Sequence, residues 1–247
     1  MNYCIRAGTA LLLAAQCLSP LTAREESDAM HEEMLDAIQE MVAETAGSTG
    51  IDRLSPAVLD ALRRVPRAAF VPDDLRDHAW RNQPLPIGHG QTISQPYIVA
   101  LMTQLAGLDA QSTVLEVGTG SGYQAAVLAA VAGQVYSVEI IAALGRQAAQ
   151  TLARLGYANV HCRTGDGYQG WPEHAPYDAI LVTAAPEQVP QPLLDQLKPG
   201  GRLVIPVGPP GAVQSLRLLV KDAHGVVHTR EVLPVGFVPL TRDSAPH

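Results

Sequence analysis

Glu116, Gly118, Gly120, Gly122, Glu139 and Asp166 are the residues whose types and spacing most suggest chemistry. Val114-Leu115-Glu116-Val117 is a short apolar run, Gly118-Thr119-Gly120-Ser121-Gly122 alternates glycines, and an Ala-rich helical pattern starts at Tyr123. That order reads as strand, tight loop and helix N-terminus, a layout in which backbone amides come close to a nucleotide. Glycine suits the loop because it tolerates positive φ and has no Cβ to hold a ligand away. By itself, however, such a loop is equally an ordinary tight βα turn. Glu139 lies about twenty residues further on, where a carboxylate can accept both ribose hydroxyls. Asp166, in Gly165-Asp166-Gly167, follows the next strand, where it could meet an adenine amine. Each acid alone is more simply a solvated strand end; three at successive strand ends point to a nucleotide.

The loop also says which nucleotide. A dinucleotide fingerprint wants its third glycine where this chain has Tyr123, and no Lys or Arg stands in the loop to hold a pyrophosphate. An acidic edge suits a ligand carrying sulfonium and ammonium groups, so electrostatics favour S-adenosylmethionine over NAD. A phosphate-binding P-loop is excluded because no Gly-Lys-Ser/Thr follows. The esterase elbow is excluded because glycines flank Ser121 directly.

The elements that must position these residues alternate. Strands are predicted at Val114–Val117, Val135–Glu139, Val160–Arg163, Asp178–Thr183 and Arg202–Val207, with helices between them at Tyr123–Val131, Ala142–Leu155 and Gln188–Leu197. Gln214–Asp222 and Val226–Val235 read as a closing antiparallel hairpin. The expected fold class is α/β: a Rossmann-like, doubly wound, mostly parallel sheet with a C-terminal hairpin and an N-terminal helical cap. In such a sheet the ligand sits beyond the strands' carboxyl ends.

Upstream, Glu25–Ala46 is amphipathic, with Met30, Met34, Ile38, Met41 and Val42 at helical spacing. Ser55-Pro56 starts a second helix that stops near Val65-Pro66. Arg67–Gly90 reads as irregular loop with short turns. Ile98, Leu101, Met102 and Leu105 then mark a helix, with Ser94 placed as its N-cap and Pro96 in its first turn. Residues 1–23 have the layout of a secretory signal, and a start at Met30 or Met34 is the competing reading. The expected division is therefore 1–23 as a possible signal, 24–112 as cap and substrate-binding segment, and 113–247 as the cofactor-binding core, cap and core forming one globular unit.

Bulk properties narrow the class further. The 247 residues are 47% hydrophobic, enough for one sizeable core. Seventeen Lys and Arg against twenty-four Asp and Glu give a net charge of −7, a poor footing for nucleic-acid binding. Cys4 and Cys17 fall in the leader, which leaves Cys162 without an internal disulfide partner, and the scattered histidines suggest no metal site. The leader's apolar run is too short to span a membrane.

One stretch is more specific than the glycine loop. Gly90-Gln91-Thr92-Ile93-Ser94-Gln95-Pro96-Tyr97 resembles a signature of the protein-L-isoaspartate O-methyltransferase family. The likeness runs from about Met41 to Leu240. It includes Val65-Pro66-Arg67, Phe70-Val71-Pro72, Leu85-Pro86-Ile87-Gly88, Gly165-Asp166-Gly167, Gly170-Trp171-Pro172, Thr183-Ala184-Ala185-Pro186 and Phe237-Val238-Pro239-Leu240. The resemblance implies methyl transfer from S-adenosylmethionine to the free carboxylate of isoaspartyl residues in damaged proteins. It matches the family's active-site serine to Ser94, sets Thr92, Ile93 and Thr183 around the methyl-transfer site, and agrees with Glu116, Gly118, Gly120, Gly122, Glu139, Asp166 and Gly167 as cofactor residues. Isoaspartyl proteins are the expected partners, of a monomer that binds no nucleic acid and has no stable membrane span. The competing readings are a methyltransferase for another carboxylate or small molecule, and a non-catalytic binder of damaged chains. The expected compartment is the cytoplasm, where the cofactor is made, with export the alternative if 1–23 is a signal. Gly236 departs from relatives that carry a larger residue before Phe237.

Overall fold

The computed structural model describes residues 23–242. The proposed leader therefore lies outside the described residues, apart from Ala23. Helix α1 (Ala23–Thr49) and helix α2 (Pro56–Arg64) come first. Ser55 caps α2 through Val58 N, with Pro56 in its first turn. Met34, Leu35, Ile38 and Val42 are the buried stripe of α1, whereas Met30 is exposed.

Arg67–Gly90 is more ordered than its composition suggests. Two 3-10 turns, Arg67–Phe70 and Asp73–His78, lead into a small antiparallel hairpin of β1 (Leu85–Gly88) and β2 (Gln91–Ile93). Strands of four and three residues containing Pro86 are too short to show a two-residue period. Helix α3 (Pro96–Ala106) follows and ends on Gly107 in the left-handed region.

The remainder is the expected alternation. Strand β3 (Thr113–Val117), helix α4 (Tyr123–Ala129), β4 (Gln134–Glu139), α5 (Ala142–Arg154), β5 (Val160–Thr164), β6 (Tyr177–Val182), α6 (Gln191–Asp195) and β7 (Leu197–Val207) are closed by β8 (Gln214–Lys221) and β9 (Val227–Val235). The sheet order is β5-β4-β3-β6-β7-β8-β9, parallel from β5 through β7 and antiparallel across the last two pairs. Helix α6 is shorter than expected because Pro190 and Pro192 confine its start, and Leu197 already pairs with Tyr177 in the sheet.

Alternate strand residues fall into two clusters, as the pleat requires. Leu115, Val117, Ile180, Val182, Leu203 and Ile205 join Leu193 of α6. Val114, Ala179, Leu181 and Val204 join the buried residues of α1, α2 and α3. The N-terminal helices thus share a core with the sheet. The chain turns from β4-β3 to β6-β7 at the carboxyl end of β3, so the crevice opens beside the glycine loop.

Candidate active site

Strand β3 delivers Glu116 to the floor of a cleft of about 760 Å³. Its side chain is fully buried, and burial pushes its carboxyl up to about 8; Ser137 acts against that rise while Glu139 adds to it. Ser137 Oγ donates to Glu116 Oε2 and pairs with Thr119 Oγ1 at 2.5 Å. Glu116 Oε1, however, has no hydrogen-bond partner among the described residues. A buried acceptor left open costs free energy unless a ligand satisfies it.

Glu139, at the end of β4, also lines the cleft. Its carboxylate accepts from Gly120 N at 2.8 Å and from Ile141 N at 2.9 Å, tying the glycine loop to the neighbouring strand end. Gly118 and Gly120 face the cleft. At Gly118 φ is +100°, and a Cβ would stand 2.5 Å from Thr183 Oγ1. That hydroxyl donates to Gly118 O at 2.6 Å, so glycine is needed where β6 and the loop meet. Gly122 stands behind the loop, against Ala148 and Leu152 of α5, and does not line the cleft. Gly167 lines it, but Asp166 does not: Asp166 Oδ1 caps the following turn through Tyr168 N at 2.9 Å.

Thr92, Ile93, Ser94 and Thr183 all reach the same cleft. Thr92, Ser94, Thr183 and Val238 also line a second cavity of about 1140 Å³, so the two spaces meet at these four residues. Met41, Thr45, Tyr97, Ile98, Val235 and Phe237 are among its other walls, and no charged side chain lines it. Gly236 leaves open space there, since a Cβ at that position meets nothing within 4 Å.

Ser94 is not the N-cap of α3. Gln95 holds that position, because Pro96 takes the first helical place and Val99 N donates to Gln95 O at 3.1 Å. The Tyr97 amide of the first turn is already taken by Asn82 Oδ1 at 3.0 Å. The Ser94 hydroxyl is therefore free of capping duty, and the helix end is a smaller anion cradle than its sequence suggests.

Several site residues escaped sequence reasoning. Val238–Thr241 walls the cleft because Ala185 N donates to Val238 O and Leu240 N donates to Ala185 O, at 2.8 and 2.9 Å. Ser137 and Thr119 anchor Glu116, and Ile140 and Ile141 give the cleft an apolar side. Arg67, fully buried, donates to the carbonyls of Ala79, Gln83 and Ser94. Its only sequence signal was membership of a matched stretch.

Comparisons with known proteins place the chain in a family. The family model described as "Protein-L-isoaspartate(D-aspartate) O-methyltransferase (PCMT)" matches residues 39–245. "Protein-L-isoaspartate O-methyltransferase 2" of Syntrophobacter fumaroxidans is 59% identical over 208 residues, covering 84% of each chain. "Protein-L-isoaspartate O-methyltransferase 1" of Cupriavidus necator is 53% identical over 234 residues, 93% of this chain and 90% of that one. A solved protein-L-isoaspartate O-methyltransferase superposes with a TM-score of 0.71 at 30% identity, covering 85% of this chain and 65% of its own length. By fold alone, a Plasmodium falciparum structure in complex with S-adenosyl-L-homocysteine is similar, with a TM-score of 0.71 at 24% identity over 86% of this chain and 99% of that one. From the extent of the family match and the identity of these relatives, this chain belongs to the protein-L-isoaspartate(D-aspartate) O-methyltransferase family.

Proposed function

We propose that this protein methylates the free carboxylate of L-isoaspartyl residues in damaged proteins, using S-adenosylmethionine, and so starts their repair. The observation that carries the reading is the junction of an acidic cofactor cleft with an uncharged groove at Thr92, Ser94, Thr183 and Val238. The cleft fits the cofactor: Glu116 Oε1 is a buried acceptor without a partner, Glu139 adds a second carboxylate, and no Lys or Arg lines the walls. When bound, S-adenosylmethionine supplies an electrophilic sulfonium methyl that a carboxylate can take as a methyl ester.

The chain's own residues then have these roles. Glu116 meets a cationic group of the cofactor. Glu139 holds the glycine loop and keeps lone pairs for ribose hydroxyls, while Gly118, Gly120 and Gly167 admit the ligand to the backbone. Gly122 and Asp166 act from behind, one packing α4 on α5 and the other fixing the turn that presents Gly167. Ser94 Oγ donates to the substrate carboxylate, with Thr92, Ile93 and Thr183 around the reacting atoms. An α-carboxyl is ionised well below neutral pH, so no general base is required. Catalysis then rests on placement, which can supply about 7–11 kcal/mol.

The net charge of −7 supports a protein rather than a nucleic-acid substrate. Cofactor supply favours the cytoplasm, and the N-terminal mass of protein taken from cells tests it: an end at Arg24 would point to export, whereas a start at Met1, Met30 or Met34 would not. The function is tested with methyl-labelled S-adenosylmethionine and an isoaspartyl peptide. Base-labile label on the peptide, lowered at least tenfold by Ser94→Ala, is expected, and an unlabelled peptide refutes the reading.

A further inference from the structure

Arg67 is an arginine buried to 0% exposure, and no carboxylate pairs with it among the described residues. Its guanidinium lies 5.7 Å from the ring centre of Tyr123, and Nη1 donates to Ala79 O. Nη2 donates to Gln83 O at 3.0 Å and to Ser94 O at 3.1 Å, while Nε has no partner. Burial lowers its pKa only to about 10, so it stays charged at neutral pH. Keeping an unpaired cation inside a protein is costly, and three neutral carbonyls offset that cost only in part. Fixing one loop needs hydrogen bonds; it does not need a net charge.

The groove beside Ser94 has the opposite deficit. Its proposed occupant brings a carboxylate, yet among the described residues no lysine, arginine or histidine lines its walls. Through the Ser94 carbonyl, the Arg67 cation is bonded to a residue that lines the groove. The Ser94–Gln95 peptide is trans, so its N–H points away from Arg67, and the guanidinium polarises that amide toward stronger donation.

We infer that Arg67 is a positioning residue for the substrate carboxylate: it sets the Ser94 backbone and supplies, from behind it, the positive charge the groove walls lack. The inference rests on the methyltransferase reading above. A buried charge is poorly screened by salt, whereas a surface charge is screened within about 8–10 Å at physiological ionic strength.

The test compares an isoaspartyl peptide with the same peptide bearing a neutral carboxamide in place of the free α-carboxylate. Affinities are measured by calorimetry in the presence of S-adenosylhomocysteine. Wild type should prefer the acid by about tenfold or more, the scale of one charge pair at protein dielectric, and should keep that preference in 1 M salt. Arg67→Met should collapse the ratio toward unity, and Arg67→Lys should restore much of it. An equal loss for both peptides in Arg67→Met would mean a merely structural role and overturn the inference. If Arg67→Met does not fold, loss of the wild-type preference in 1 M salt overturns it instead. Failure of wild type to bind either peptide would contradict the methyltransferase reading itself, a distinct outcome.

Discussion

Glu116 is where the chemistry of a single residue says most. Its folded pKa of about 8 stands above the ordinary value of 4.5 because the carboxyl is buried with only one oxygen satisfied. The folded protein therefore holds a proton that the unfolded chain releases. Its contribution to stability is fully present below about 4.5 and is lost as pH rises through about 8. Chemical denaturation of wild type against Glu116→Gln should show that difference growing across this window, on the order of a few kcal/mol in favour of glutamine at the alkaline end. A cation entering the cleft draws the proton off. Cofactor binding at pH 7 should release protons in wild type, and a smaller number in Glu116→Gln, as read by calorimetry in buffers of different ionisation enthalpy. Identical proton release in the two proteins would remove Glu116 from the ammonium site. The residue was legible in sequence through its place two positions before Gly118. Its shifted titration was not, because that depends on burial that only the folded cleft imposes, with Ser137, twenty-one residues away, opposing the rise.

Among elements, the loop between β3 and α4 is held by its neighbours as much as by its glycines. Glu139 fixes it from β4 and Thr183 fixes it from the end of β6. Gly118→Ala should destabilise the fold by about 1–3 kcal/mol through the positive φ. It should also weaken S-adenosylhomocysteine binding at least tenfold, because the added Cβ displaces the Thr183 hydroxyl. In a double-mutant cycle, Thr183→Ala should relieve part of the loss, since the clash needs both groups. Strict additivity would show that the loop and β6 are not coupled. The βα alternation was readable because parallel strands buried on both faces are short continuous apolar runs, set apart by helical stretches. The β1–β2 hairpin was not, and the start of α3 was misplaced by one residue. A serine two positions before a proline looks like a cap, but the proline itself selected Gln95.

Across the whole molecule, segments far apart in sequence meet at one junction. Thr92 and Ser94 come from the cap, Thr183 from the sheet, and Val238 from the segment after the last strand. In the sequence the first three were expected at the site through the family resemblance. The closing segment had only its matched stretch to mark it, because what fixes it lies far off in sequence: Ala185, Gln214 and, through Leu240 O, the Tyr168 hydroxyl at 3.0 Å. The junction allows a carboxylate carried on a flexible peptide to reach the cofactor cleft, and an isoaspartyl link, with its extra backbone methylene, presents that group differently from an ordinary aspartyl link. The most direct test is the ratio of kcat/KM for an isoaspartyl peptide and its normal aspartyl twin under identical cofactor. This account predicts a preference of at least a hundredfold for the isoaspartyl form, and equal methylation of the two peptides would contradict it.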